Sequence, residues 1–322
     1  MHYWKLVICI CLFFYGCCTS EAGNIPEYST TIAAEKPYPF VGIIYGDTRG
    51  KHDLEIWRSS ADPERSKIPA QMVQEKPEFI INTGDIVLKG SSHSDWEEFD
   101  TYRTKILENK IPYFPCLGNH DYWGRDSKAL DNYFSRFPDL LAQHWYKFQY
   151  QNILFCLLDT NWDELKHYQQ NAQKRWLEKE LKAAQESPNI RLVIVAGHYP
   201  PYTNSKTHDG DEGMQKQIVP LLMKYPKVRL LFSGHCHSYE HFYFKPIHYV
   251  VSGGGGAPLF DVITNPAKQR YADLYVGEER RFHYCRLTFY EDRVHISVQM
   301  MNSQYNWYEA DKFTVEYPTA AQ

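Results

Sequence analysis

The sequence predicts an α/β fold with α+β character, in which the sheets are mixed rather than all parallel. In the first half of the chain, short apolar strands alternate with helical segments, a pattern typical of α/β proteins. In the last third, apolar runs pair across short polar turns, which indicates antiparallel hairpins. Several strands end in glycine followed within two residues by Asp, Asn or His, which indicates a ligand site along a sheet edge.

The composition is that of a soluble globular chain with no surface for polyanions. The chain has 322 residues, enough for one large domain or two small ones with a substantial core. The net charge is -4 and there is no basic run, so we expect no nucleic-acid binding. No short-period repeat is present. A small-molecule partner is therefore expected.

The first 23 residues have the pattern of an export signal. Lys5 precedes an apolar run from Leu6 to Tyr15, which is too short to span a membrane, and small residues follow. We therefore assign 1–23 to a signal peptide, 24–37 to a linker and 38–316 to one domain.

The signal leaves two processing outcomes open. Phe14-Tyr15-Gly16-Cys17 resembles a bacterial lipoprotein cleavage box, in which Cys17 or Cys18 becomes lipidated and anchors the protein to a membrane. Simple cleavage would instead give a periplasmic or secreted protein. The four cysteines after residue 23 lie mostly in apolar runs, and we expect buried free thiols rather than a disulfide framework. They are Cys116, Cys156, Cys236 and Cys285.

Apolar runs and helix signals define the elements of the first half. Ser94 and Asp95 are capping residues that open a helix, and Pro138 ends another. The predicted order is a strand at 40–45, a helix around 68–75, a strand at 78–83, a helix at 94–107, a strand at 112–118 and a helix at 129–137.

The second half begins with a hairpin and ends with another. Gln151-Asn152 separates two apolar segments, as Glu291-Asp292 does later. Between them, Leu177 and Leu181 lie on the apolar face of an amphipathic helix. The predicted order is strands at 145–150 and 153–158, a helix at 169–185, a strand at 190–196, a helix at 214–225 and strands at 228–232, 247–251, 284–290 and 293–299.

Five strand ends carry side chains suited to a metal site. Carboxylates, imidazoles and one amide oxygen form a nitrogen and oxygen set for Zn, Fe or Mn. Since a carboxylate has two oxygens, one Asp can bridge two ions. Each of these short motifs alone is typical of a common turn, but their recurrence at the same place after five strands indicates one site. The residues are Asp47, Asp85, Asn119, His198 and the pair His235 and His237.

The same residues carry a family resemblance. Gly46-Asp47, Gly84-Asp85, Gly118-Asn119-His120-Asp121, Gly197-His198 and Gly234-His235-Cys236-His237, in this order, resemble the motifs of the calcineurin-like metallophosphoesterases. The exported, purple-acid-phosphatase-like members are nearest. The resemblance covers about residues 40–300. It implies a four-layer α/β/β/α sandwich with metals at the sheet edge.

The resemblance also implies an activity, the hydrolysis of phosphomonoesters or phosphodiesters by a metal-activated hydroxide. His120 would assist as a charge stabiliser or acid beside the scissile phosphate. No Gly-x-Ser-x-Gly nucleophile is present to suggest a covalent intermediate. The implied ligands are Asp85 bridging two ions, with Asn119, His198 and His235 at one ion and Asp47 and His237 at the other. A fold that has lost efficient catalysis and acts as a binding or scaffold protein is the alternative.

One position departs from the family pattern. Arg49 stands where many members have a histidine ligand, and a guanidinium cannot bind a cation. Leu88 stands where a variant of the family has a tyrosine ligand. One site is then weaker or is completed by His52 or His93. Arg49 is expected either to clamp a substrate phosphate or to pair with a nearby carboxylate.

Two loops are candidates for the pocket wall, although a plain surface role is equally compatible with them. The loop from Tyr199 to Asp211 follows a ligand and contains Tyr202, His208 and Asp209, of which His208 is predicted to bind substrate. Tyr122, Trp123 and Arg125 follow His120. The run Gly253–Gly256 lacks the Lys-Ser/Thr ending of a nucleotide loop and predicts a tight backbone passage near the metals.

Overall fold

A computed structural model describes residues 25–32, 35–51, 62–277 and 279–318. The strands found there form two six-stranded sheets. In chain order they are β1 (Phe40–Tyr45), β2 (Phe79–Asn82), β3 (Tyr113–Pro115), β4 (Tyr146–Tyr150), β5 (Ile153–Leu157), β6 (Leu192–Ala196), β7 (Val228–Ser233), β8 (Tyr239–Phe244), β9 (Ile247–Ser252), β10 (His283–Phe289), β11 (Arg293–Met301) and β12 (Trp307–Glu316).

The α-helices lie between the strands of the first three quarters of the chain. They are α1 (Asp62–Gln74), α2 (His93–Tyr102), α3 (Thr104–Glu108), α4 (Asn119–Tyr122), α5 (Asp126–Arg136), α6 (His167–Glu186) and α7 (Val219–Leu222). A 3-10 turn spans Pro138–Leu140, and a π-helical turn spans Met214–Ile218 directly before α7.

Both sheets are mixed, as the sequence predicts. The first has the order β12-β11-β10-β1-β2-β3, with β1, β2 and β3 parallel and the other pairs antiparallel. The second has the order β4-β5-β6-β7-β9-β8, with antiparallel pairs only at its two edges. The parallel strands therefore direct their carboxyl ends to one edge of each sheet.

The main core lies between the sheets, and helices cover their outer faces. Leu177 and Leu181 of α6 pack on the outside of the second sheet, while Ile68 and Met72 of α1 belong to the core of the first. This gives the four-layer arrangement that the resemblance implies. Buried side chains that meet between the two sheets include Ile44, Ile81, Phe155, Ile194 and Phe232.

Two predicted helices differ in extent or kind, and two strands were not predicted. The helix predicted at 94–107 is divided at Arg103, which leaves helical geometry (φ -99°, ψ 4°) while its buried side chain donates to Tyr45 Oη. The helix predicted at 214–225 is a π-helical turn followed by α7. Strands β8 and β12 were not predicted. For β12 the reason is that most of its residues are partly exposed at a sheet edge, so they lack a clean apolar alternation.

The segment before β1 contacts the first sheet. Tyr28 is buried in the main core, and Ser29 O accepts a hydrogen bond from Tyr113 N of β3. The division of the chain into signal, linker and domain stays a prediction, because 1–23, including Cys17 and Cys18, lies outside the described residues.

The cysteines and the helices agree with two further expectations. Cys116, Cys156, Cys236 and Cys285 are buried and free, as predicted. Among the described residues, no helix has both the length and the apolar character needed to cross a membrane.

Candidate metal centre

The polar residues predicted from five strand ends come together at one edge of the sandwich. The ends of β1, β2 and β3 supply residues from the first sheet, and the ends of β6 and β7 supply residues from the second. The site thus lies where the two sheets meet. The group consists of Asp47, Asp85, Asn119, His120, His198, His235 and His237.

Three of these residues have a left-handed backbone that is uncommon outside glycine. The φ angles are 58° at Asp47, 53° at Asp85 and 66° at His235. Such a conformation costs roughly 1–2 kcal/mol per residue and persists where neighbouring contacts hold it. Here Asp47 N donates to Gly84 O at 2.9 Å, and His235 N donates to both carboxylate oxygens of Asp47 at 3.0 Å. The backbone is fixed at the positions that carry the candidate ligands.

Glycines make room for the two carboxylates. A Cβ on Gly253 would stand 2.7 Å from Asp47 Oδ2, and one on Gly234 would also meet this oxygen. A Cβ on Gly118 would meet the backbone and side chain of Asp85. The run Gly253–Gly256 is accordingly a tight backbone passage beside the site.

The first ligand group joins both sheets. One carboxylate oxygen each from Asp47 and Asp85 and one ring nitrogen of His237 all lie within 4.8 Å of one another. His237 Nε2 is 3.4 Å from Asp47 Oδ1. All three side chains are buried. Two carboxylates and an imidazole make a donor set for Zn, Fe or Mn.

The second ligand group shares Asp85 with the first. His198 Nε2 is 3.3 Å from Asp85 Oδ1 and 3.0 Å from Asn119 Oδ1. His235 Nδ1 is 3.1 Å from Asn119 Oδ1 and 3.3 Å from His198 Nε2. Atoms bound at about 2.1 Å to one ion are themselves about 3.0–3.4 Å apart. The spacing therefore fits one cation.

Backbone carbonyls fix the orientation of three imidazoles. Nδ1 donates to a carbonyl in each case: from His198 to Thr83 O at 2.9 Å, from His237 to Pro258 O at 2.7 Å and from His120 to Leu88 O at 2.6 Å. Nε2 of the neutral ring then carries the free lone pair, which is the arrangement in which histidine binds a metal ion.

A positive charge among these buried groups would stabilise them electrostatically. Burial, followed by repulsion from Asp85, raises the pKa of Asp47 well above its usual range. Burial lowers the pKa of His235 and His237 well below the usual value, which keeps their imidazoles neutral. Lone pairs of Asp85, Asn119 and His198 thus face one another at short range. They repel unless a proton or a metal ion lies between them, so the residues present fit the metal centre that the family resemblance implies.

Arg49 lies inside this cluster with 4% of its surface exposed. Its Nε is 3.9 Å from Asp85 Oδ2, and its Nη1 donates to Gly50 O at 2.9 Å. The ion pair with a nearby carboxylate, one of the two predicted roles, is thus formed. The guanidinium places a fixed positive charge next to the carboxylate shared by both ligand groups.

His120 and Asp121 have different roles: the first faces the ligand groups, and the second binds backbone N–H groups. His120 Nε2 is 3.9 Å from Asp85 Oδ2, so the ring faces the ligand groups. Burial lowers its pKa, an effect that Asp85 opposes. Asp121 does not orient His120; it accepts from the backbone N–H groups of Ile86 at 2.9 Å and Gly118 at 2.8 Å. Asp121 therefore joins the loops after β2 and β3.

The predicted pocket residues divide into two sets. His208 lies at the site, with its ring 4.4 Å from the ring of His235, and the ring of Trp123 is 4.9 Å from that of His120. The others are engaged elsewhere: Tyr202 packs against Phe244, Tyr249 and Tyr271, Asp209 pairs with Arg270, and Tyr122 bonds to Asp159 and His144.

Of the two histidines considered as extra ligands, His93 does not complete the first group. His93 begins α2, is largely exposed and lies 3.4 Å from Glu97, so it is not a ligand here. His52 lies outside the described residues.

Sequence reasoning missed residues that support the ligands without binding an ion. The carbonyls of Thr83, Leu88 and Pro258 are among them, and a carbonyl has no signature in the sequence. Thr160 was also missed: its Oγ1 accepts from the backbone N–H of His198 at 3.0 Å and of Tyr199 at 2.9 Å. Its position just after β5, at the same sheet edge, was the available signal.

Comparisons with known proteins find a matching family model and relatives of this chain. The family model described as "Calcineurin-like phosphoesterase" matches residues 52–239. The chain is 30% identical over 234 residues to tartrate-resistant acid phosphatase type 5 of Homo sapiens, covering 64% of this chain and 68% of that protein.

Other relatives are longer than this chain. "Probable inactive purple acid phosphatase 27" of Arabidopsis thaliana is 24% identical over 220 residues, covering 62% of this chain but 35% of the plant protein. The solved structure of purple acid phosphatase PPD1 from Lupinus luteus has a TM-score of 0.67 at 19% identity, covering 87% of this chain and 54% of that one. The structural likeness supports the same fold.

Proposed function

The chain belongs to the calcineurin-like phosphoesterase family, and from this premise we propose that it hydrolyses phosphate monoesters or diesters at a centre of two metal ions. The observation that carries the proposal is the crowding of lone pairs from Asp85, Asn119 and His198 at separations of 3.0–3.3 Å. Such crowding is stable around a cation and repulsive without one.

Each of the two ligand groups would hold one ion of the proposed centre. Asp47, Asp85 and His237 would hold one ion, and Asn119, His198 and His235 would hold the other together with Asp85. Fe, Zn and Mn all suit these donors. When bound, the ions supply a water of lowered pKa and neutralise charge on the phosphoryl group.

His120 is proposed to assist at the leaving oxygen. Because Nδ1 donates to Leu88 O, the ring cannot rotate, and Nε2 is the atom directed toward the site. Nε2 carries a lone pair in the neutral ring, so a proton taken up there would be needed for the imidazolium to stabilise or protonate the leaving oxygen, an effect typically worth about 10²–10⁴-fold in rate. We propose His208 and Arg49 as substrate contacts, since both lie against the ligand groups.

Activity with added metals tests the proposal. The metal-free protein should gain turnover of aryl phosphate monoesters or diesters on addition of Mn, Zn or Fe. Asp85→Asn should lose turnover and bound metal together, whereas the exposed Asp131→Asn, which removes the same charge on α5, should keep both. Absence of turnover with every metal, in protein shown to be folded, would refute the proposed hydrolysis.

A second candidate function is a binding or scaffold role with weakened catalysis. Buried Arg49 favours it, because its charge competes with an ion for Asp85. A plant relative named as inactive agrees with this possibility. Metal content and kinetics of Arg49→His and Arg49→Ala discriminate between a phosphate clamp and a centre that Arg49 weakens. If Arg49→Ala leaves kcat and KM unchanged, the phosphate clamp is excluded; if it raises metal content and turnover, Arg49 weakens the centre.

We also propose that the protein is exported, on the strength of the signal pattern in residues 1–23. Mass spectrometry of the mature N-terminus distinguishes simple cleavage from lipidation at Cys17 or Cys18. An intact Met1 in the mature protein would contradict export.

A further inference from the structure

A cavity of about 190 Å³ lies beside the candidate metal centre, and Asn119 is part of its wall. The same Asn119 faces His198 and His235 through Oδ1, so the cavity begins where the second ligand group ends. Its volume equals that of about six water molecules in the liquid. A short organic group attached to a phosphate at the metals would extend into this space.

Three carboxylates line the cavity: Asp163, Glu164 and Asp211. None of the three forms an ion pair within the described part of the chain. Burial, then repulsion from Asp126 and Asp163, raises the pKa of Glu164, and burial raises the pKa of Asp211. Asp211 Oδ1 accepts from Trp162 Nε1 at 2.8 Å and from Met214 N at 2.6 Å. The carboxylates of Asp163 and Glu164 have no such donor among the described residues, so the protein leaves these two charges uncompensated.

Asn161 provides an independent indication of a ligand. It lines the cavity with only 2% of its surface exposed. Its Nδ2 donates to Leu117 O at 2.9 Å and to Asp159 Oδ1 at 2.8 Å, which fixes the orientation of the amide. Its Oδ1 is buried and has no hydrogen-bond partner among the described residues. A buried acceptor left unpaired is costly, so it indicates a ligand that donates a hydrogen bond.

We infer that this cavity binds the organic part of the substrate and selects one that carries a primary ammonium group. The inference rests on the proposed phosphoesterase function, because the phosphate is taken to bind at the metals. The substrate class is then a zwitterion, with its anionic phosphate at the ligand groups and its cationic amine among the carboxylates.

The chemistry of the wall discriminates between classes of organic group. A primary ammonium supplies both a positive charge for the carboxylates and N–H donors for Asn161 Oδ1. A neutral alcohol or sugar supplies donors but leaves the carboxylates uncompensated. A quaternary ammonium supplies charge but has no N–H for the amide oxygen.

Paired substrates test the inference on the metal-loaded protein. 2-Aminoethyl phosphate and propyl phosphate have nearly the same shape and differ in the ammonium group. We expect kcat/KM and the affinity measured by calorimetry to favour 2-aminoethyl phosphate about tenfold, the order of one charge-assisted hydrogen bond. Choline phosphate should bind more weakly than 2-aminoethyl phosphate.

A double variant removes charge from the wall without changing its shape. Asp163→Asn with Glu164→Gln should reduce the preference to about twofold or less, because both side chains are exposed and act by charge. The readout is the ratio of the two kcat/KM values, so an equal loss of activity toward both esters would not count as a loss of preference. The control is Asp131→Asn with Glu316→Gln, which makes the same charge change at exposed sites outside the cavity wall and should keep the tenfold preference.

The outcomes separate this inference from the proposed function. If propyl phosphate is hydrolysed and 2-aminoethyl phosphate has no advantage, the inference is overturned and the function stands. If neither ester is hydrolysed but calorimetry retains the tenfold difference and its loss in the double variant, the function fails and the cavity assignment stands. A preference that survives in the double variant overturns the assignment to these carboxylates.

Discussion

Replacing Asp121 with Asn should weaken both the fold and the metal centre. The fully buried carboxylate accepts three backbone N–H groups: Ile86 at 2.9 Å, Val87 at 3.3 Å and Gly118 at 2.8 Å. An amide can accept on only one side, so Asp121→Asn loses at least one bond and sets its NH₂ against a backbone donor. A buried backbone donor left without an acceptor costs about 1–3 kcal/mol, and the opposed NH₂ adds repulsion, so we expect a loss of about 2–4 kcal/mol.

The same bonds hold the loops that carry candidate ligands. Ile86 follows Asp85, and Gly118 precedes Asn119, so a loosened Asp121 displaces one oxygen donor from each loop. Loss of a supporting contact typically lowers metal affinity about 10–100-fold. Affinity is measured by competition with a chromophoric chelator.

Urea unfolding of the metal-free protein measures the stability effect separately from metal binding. The control is the exposed Asp131→Asn, whose unfolding free energy should stay within about 0.5 kcal/mol of the wild-type value. If Asp121→Asn also stays within this margin, the three bonds do not stabilise the fold as argued. If stability falls but metal affinity does not, the coupling between the loops and the ligands is refuted.

Two further predictions concern backbone space and a buried carboxyl group. Gly253→Ala should lower metal affinity about tenfold or more, because its Cβ would stand 2.7 Å from Asp47 Oδ2. The control is Gly50→Ala, which should not lower the affinity, because its nearest contact is the end of the flexible Glu98 side chain at 3.2 Å. Equal affinities of the two variants in chelator competition would contradict the argument. Burial raises the pKa of Glu240 to about 7, with Asp273 adding to the rise and Arg280 opposing it. The folded state thus holds the proton more tightly than the unfolded state, so the free energy of unfolding should fall by about 3 kcal/mol between pH 4.5 and 7 from this group and change no further above it. Subtracting the pH profile of Glu240→Gln isolates this contribution, and parallel profiles would refute it.

The strand ends could be predicted because their signal is local. Asp47 and Asp85 each follow an apolar run and a glycine, and buried strands with polar ends give a pattern that neighbouring residues suffice to define. The hairpin around Gln151-Asn152 was predictable for the same reason. Elements that depend on distant contacts were not: α2 and α3 are separated at Arg103, which donates to Tyr45 across 58 positions.

The sequence by itself determined the donor types and the strands that carry them, because hydrophobic periodicity and turn chemistry act over a few residues. Only the tertiary structure decided that ends from both sheets meet, that Arg49 lies 3.9 Å from the carboxylate shared by both ligand groups, and that Asp121 binds backbone N–H groups rather than His120. It also decided which carbonyls orient the imidazoles. The physical reason is that every peptide unit carries the same N–H and C=O groups, so packing alone selects which of them a side chain meets.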